Sequence, residues 1–180
     1  MSFPRLAVVL AGFAAGCAAP LAGGFGLPAA NPGGSFTITG PETFLGEQRG
    51  DPRAFAHAMV DAGAALVLAS GPHTLRGMEW YHGHLIAYSL GNLARNNTLS
   101  TSGTLSVSAL LSVTLTSTGA LAAAKVIPLR LVGPGTPEHD PTGAAVSMIR
   151  TLSDDDFAGQ GLDIGDDGTV TVVVAKRPKR

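Results

Sequence analysis

The tightest constraint on the fold is a six-residue apolar run, Ala64-Ala65-Leu66-Val67-Leu68-Ala69, bounded by Gly63 on one side and Ser70-Gly71 on the other. It is too short for a stable helix and shows no polar alternation, so it reads as a strand buried on both faces. A helix signal leads into it: Asp51 is an N-cap, Pro52 suits the first helical position, and Gly63 provides a left-handed stop after Ala62. Phe55, Met59 and Ala62 fall on one face of that helix. A helix followed by a buried strand is half of an α/β unit. Open α/β sheets place their sites beyond the C-terminal ends of such strands, which directs attention to the loop Ser70-Gly71-Pro72-His73.

Two strand pairs follow. Residues 78–81 and 85–90 flank His82-Gly83-His84 and predict a hairpin, and residues 105–115 and 121–131 form a second pair around Ser117-Thr118-Gly119. Pro128 pushes the last of these strands toward a sheet edge or a bulge. A helix is expected over residues 142–152 after a loop at 137–141, and Asp166-Asp167-Gly168 turns into a last strand near residues 169–175. The chain shows no internal repeat, no heptad series and no glycine-rich phosphate loop. With 180 residues, 45% of them hydrophobic, it can bury one core, here assigned to residues 41–175. A net charge of −1 with 14% charged residues leaves no electrostatic footprint for nucleic acid, which is excluded as a partner.

The N-terminal region is set apart from this domain. Arg5 followed by the apolar residues 6–15 and then Gly16-Cys17 reads as an export leader of the lipoprotein type, which would make Cys17 a lipidated N-terminus anchored to the membrane. The alternative is an apolar N-terminal helix with an inert cysteine. Ten apolar residues do not span a bilayer as a helix, and Cys17 is the single cysteine, so no disulfide can form within the chain. Residues 18–40 read as a Gly/Pro/Ala-rich linker with an edge strand at 35–39, and the tail Lys176-Arg177-Pro178-Lys179-Arg180 as a basic, solubilising end able to touch anionic polymer or lipid headgroups.

The central residues resemble a known family. Phe44-Leu45-Gly46-Glu47-Gln48-Arg49-Gly50-Asp51, then Ser70-Gly71-Pro72-His73-Thr74-Leu75-Arg76-Gly77-Met78-Glu79, then Ala87-Tyr88-Ser89-Leu90-Gly91-Asn92 are similar, in order, to strings in the C-terminal half of the CapA (capsule synthesis, poly-γ-glutamate) family. A weaker likeness continues to about residue 170 through the turn Asp140-Pro141-Thr142-Gly143. The resemblance implies an α/β fold: a partial, metallophosphatase-like two-sheet sandwich with flanking helices. It also implies an envelope location and a role tied to poly-γ-glutamate or a similar anionic capsule polymer.

The family is metallophosphatase-like, and a two-metal hydrolase needs His, Asp and Asn ligands from several strand ends. Residues 1–50 contain no Asp and no His, Asn31-Pro32-Gly33-Gly34-Ser35 resembles a Gly-Gly loop without its His, and Ser70 stands where the later loop has its first His. The expectation is therefore a truncated, catalytically degenerate protein. The alternative is an active metal-dependent hydrolase of phosphoester or γ-glutamyl bonds.

By this resemblance His73 is the surviving metal ligand or general acid/base, against a loop-packing role, and Asn92 supports the catalytic site, against a turn cap. Arg76 and Glu79 contact an anionic substrate or orient the His73 loop, against a structural ion pair between them. His57 with Asp61 reads as an exposed helix pair, His82 and His84 as exposed hairpin residues, and Asp154, Asp155 and Asp156 as a solvated helix start.

Overall fold

The computed structural model describes residues 6–11, 38, 42–44, 47–70, 72–94, 101–157 and 161–173, with the backbone alone at 6–11, 42–44 and 47–49. Cys17, the loop 31–35 and the basic tail lie outside the described residues. In chain order the elements are β1 (Leu6–Ala11), β2 (Glu42–Phe44), β3 (Glu47–Gly50), α1 (Pro52–Asp61), β4 (Leu66–Leu68), β5 (Met78–Tyr81) and β6 (His84–Ala87). A short 3-10 turn at Gly103–Ser106 precedes β7 (Val107–Leu115), β8 (Leu121–Val132), β9 (Thr136–His139), α2 (Ala144–Phe157), β10 (Leu162–Ile164) and β11 (Thr169–Val172).

The fold is mixed α/β. A three-stranded sheet in the order β4-β6-β5 has β4 parallel and β5 antiparallel to β6. A larger sheet runs β1-β7-β8-β11-β10, with β9 also paired to β8, and β2 and β3 form a separate hairpin. The period of two in β6 covers the small sheet on both faces. Leu85 and Ala87 join Met78 in a core with Leu111, Val113, Val126, Ala145, Val146 and Ile149 from the large sheet and α2. Ile86 and Tyr88 point the other way, into a second cluster with Ala56 and Val60 of α1, Val67 and Phe157.

Helix α1 begins where its signals place it, with the Asp51 carboxylate accepting the Ala54 N–H at 2.9 Å. Its buried face differs from the expected stripe. Phe55 and Met59 stay 37% and 38% exposed, whereas Ala56 and Val60 are buried. Small residues line the inner face, where Arg53 and His57 also reach toward the sheet.

Helix α2 starts two residues later and ends five residues later than the sequence suggests. The buried Asp140 carboxylate fixes its start by accepting Thr142 N–H, Thr142 Oγ1 and Ala144 N–H. Burial would raise the Asp140 pKa, but these hydrogen bonds hold it below the ordinary carboxylate range. At the other end Phe157 is buried, its ring 5.4 Å from that of Tyr88, so Asp154, Asp155 and Asp156 sit in the last turns of α2 and not at a helix start. Asp156 accepts the backbone N–H of Ile38 at 2.8 Å, and Ile38 is only 2% exposed. A residue assigned to the linker thus packs in the core, where burial of such a side chain contributes about 2 kcal/mol.

The long pair β7 and β8 is in register from Val107↔Arg130 to Leu115↔Leu121. Pro128 lies inside β8, between the stretch paired with β11 (Ala124 and Lys125) and the stretch paired with β9 (Leu129 to Val132). Its carbonyl accepts Asp140 N–H on the side away from β7, so its missing donor faces the gap between the two short strands and costs no ladder bond. Strands β9 and β10 were not foreseen from the sequence. The residues 6–11 read as part of a leader form β1, antiparallel to β7 from Leu6↔Leu115 to Ala11↔Leu110.

Candidate functional site

Two polar constellations lie toward the C-terminal end of the parallel pair β4 and β6. The first is on the surface. The loop after β4 brings His73 to the segment after β6, where its Nδ1 meets Asn92 Oδ1 at 2.7 Å. Asn92 is buried, and its Nδ2 donates to Leu105 O at 3.2 Å. A carbonyl can only accept, so this bond fixes which way the amide lies: Oδ1 faces the imidazole and His73 Nδ1 carries the hydrogen. Neutral His73 therefore presents Nε2 as a bare lone pair, and among the described residues no group meets it.

The supports of this pair are local. His73 adopts φ +59°, an uncommon conformation for a residue other than glycine. Gly91, at φ +73°, takes a conformation that strains any other residue, and a Cβ there would crowd Val107 O at 3.0 Å. The buried Ser108 hydroxyl donates to the Asn92 carbonyl and fastens this turn to β7. Sequence reasoning singled out His73 and Asn92, and the fold brings them together.

The second constellation is buried beneath α1. Glu79 of β5 is fully buried, and its Oε1 accepts from Arg53 Nη2 at 2.8 Å and Nε at 3.3 Å. Its Oε2 accepts from Tyr88 Oη at 2.7 Å and from His57 Nε2 at 3.0 Å. Burial would push the carboxyl up, but hydrogen bonds from Arg53, Tyr88 and His57 outweigh it and hold Glu79 below its usual range. Burial and the adjacent Glu79 charge push the Tyr88 phenol far above its ordinary value. The ring of His57 stacks on Tyr81 with centroids 3.6 Å apart, and Tyr81 stacks in turn on His82.

This cluster differs from the sequence expectation in its pairing. Glu79 binds Arg53, His57 and Tyr88, and it has no exposed surface with which to meet a substrate. Arg76 is also buried, on the strand-end segment, close enough to Asp156 for its charge to oppose the rise that burial imposes on that carboxyl. His57 does not pair with Asp61, whose carboxylate meets the exposed His82 at 3.0 Å and Tyr81 Oη at 3.3 Å. Arg53, His57 and Tyr88 were missed. Their signal was the i, i+4 spacing of Arg53 and His57 on the same face as Ala56 and Val60, which the larger Phe55 and Met59 obscured.

Both constellations fall within one matched segment. The family model described as Bacterial capsule synthesis protein PGA_cap matches residues 46–97. This segment carries the capsule-synthesis family signature. No curated protein matches the chain. The PGA_cap segment runs from β3 through α1 and the three-stranded sheet and includes His73, Asn92 and all four members of the Glu79 cluster.

The metal implied by a metallophosphatase-like resemblance does not fit the described donors. Among the described residues no group of three or more His, Cys, Asp or Glu side chains converges to hold an ion. The Asn92 oxygen, a potential ligand, is spent on His73. One imidazole nitrogen supplies a fraction of a single coordination shell, whereas a two-ion centre needs ligands shared between ions about 4 Å apart.

Proposed function

We propose that the chain is an envelope-anchored capsule-synthesis module that engages an anionic polymer, such as poly-γ-glutamate, without hydrolysing it. The observation that carries this reading is the His73–Asn92 pair: one oriented imidazole nitrogen at a strand-end loop, with no group of three or more His, Cys, Asp or Glu donors converging on an ion among the described residues. Nε2 accepts a hydrogen bond when neutral and donates one to a carboxylate when protonated, which suits contact with a carboxylate-bearing chain. Arg76 and Glu79 support the loop from inside and take no direct part. The leader pattern ending at Cys17 adds a lipid anchor that would hold the domain at the membrane surface.

A second reading is an active hydrolase of phosphoester or γ-glutamyl bonds, favoured by the same lone pair, which is in the form a divalent ion requires. Metal content and turnover on phosphodiester and γ-glutamyl substrates in manganese, zinc and magnesium separate the two. The expected result is polymer retention that weakens several-fold in His73→Ala, with no metal-dependent turnover in the natural chain or in Ser70→His. Two tightly held ions per chain with turnover would reverse the order of the readings. The anchor is checked by labelled fatty acid in a bacterial host, where Cys17→Ser should lose the label.

A further inference from the structure

The edge of β7 that faces β1 is unusual for an exposed sheet margin. Val126 N–H donates to Gly168 O on the far side of β8, and Val126 is opposite Leu111, so the Leu111 and Val113 N–H and C=O groups point away from β8. Ala109 points the same way, but its N–H is taken by Leu90 O at 3.1 Å. The stretch that remains is Leu110–Leu115, the one that β1 covers residue for residue. Its sequence, Leu-Leu-Ser-Val-Thr-Leu, has no charge, no proline and no glycine. Proteins protect open edges with charged side chains and proline, and among the described residues the guard here is β1 itself.

We propose that β1 is a removable guard strand, and that once it leaves, the β7 edge pairs antiparallel with the same edge of a second copy of the chain. A second copy is the occupant because a two-fold axis places identical strands antiparallel, the direction in which this edge already bonds β1. An edge without charge also presents nothing that repels its own image. The natural trigger, leader removal before Cys17, rests on the export reading above. The pairing itself does not, because the guard can be displaced in the intact chain.

The test uses the full chain with Val8→Pro and Leu10→Pro together. Val8 and Leu10 stand opposite Val113 and Leu111, so proline at both removes two of the three donors that β1 offers to β7 and leaves Leu6 opposite Leu115. Analytical ultracentrifugation should find the natural chain monomeric and the double variant a discrete dimer. In that dimer the Leu111 and Val113 amides should exchange with solvent at least about 10-fold more slowly at high than at low protein concentration. Adding Val113→Pro should return a monomer. A double variant that stays monomeric with fast exchange at both amides, or that forms only polydisperse aggregates, would overturn the proposal, as would a natural chain that is already dimeric. The mass of the chain recovered from the envelope tests leader removal separately.

Discussion

The two polar constellations of the PGA_cap segment lie on the same sheet and have opposite economies of hydrogen bonding. At Glu79 both carboxylate oxygens are taken by Arg53, His57 and Tyr88, and the carboxylate is sealed from water. At His73 one ring nitrogen is fastened by Asn92 and the other meets no group among the described residues. A satisfied buried cluster sets the position of a helix against a sheet, while a half-used pair at a strand end can still act on something else. The first is architecture and the second is where chemistry or binding has room.

Mutations should separate them by size of effect. Glu79→Ala strands a guanidinium and a phenol beneath α1 and should lower stability by about 3 kcal/mol, whereas His73→Ala should cost less than about 1 kcal/mol; urea titration of both variants checks the contrast. Similar losses in the two would erase the distinction. The pH dependence sharpens it. The pKa of Glu79 in the folded chain is lowered, so its contribution is complete above the ordinary carboxyl pKa of about 4.3 and fades as pH falls through the lower folded value. Glu79→Gln should therefore flatten the acid limb of the stability curve.

Asn92→Ala comes next, with a loss of roughly 1.5 kcal/mol because the half-buried Leu105 carbonyl loses its donor and His73 Nδ1 its acceptor. Its decisive readout is nitrogen NMR of His73, which should change from one tautomer to a mixture. An unchanged spectrum would mean that Asn92 does not orient the ring.

The smallest effect is expected at Asp156. Burial raises its pKa against the Ile38 N–H bond, so the charged form lowers stability as pH rises through the folded value. Asp156→Asn keeps an acceptor for Ile38 and relieves a charge near a helix C-terminus. It should add about 0.5 kcal/mol at pH 7 and nothing near pH 3. A loss at pH 7 would show that the charge is needed to hold Ile38.

What could be read in the sequence was what is written locally. The Asp51-Pro52 start of α1, the β5–β6 hairpin and the β7–β8 pair each carry caps, turns or alternation within a few residues, and all appear in the fold. Strands β9 and β10 are three or four residues long and contain Pro137 and Asp163, so their pairing comes from β8 and β11 and not from propensity. The end of α2 was misjudged because acidic residues favour helix starts, while burial of Phe157 draws the helix on past them. The His73 and Asn92 strings could be read through a family likeness. The Glu79 cluster could not, because which face of α1 is inside depends on a tertiary partner 26 residues away from Arg53.

The contact between α2 and the chain just after the His73 loop has a mechanical consequence. A Cβ at Gly77 would lie 2.9 Å from the backbone of Leu152 and Ser153, and the Ser153 hydroxyl accepts Met78 N–H while donating to Ile149 O. Helix and strand approach there almost backbone to backbone, with the small Ser153 side chain bridging them. That close approach restricts sliding of the residue 77–78 backbone past α2. A side chain at residue 77 would have to push strand and helix apart, so the end of the His73 loop and α2 are held at a spacing that only glycine permits.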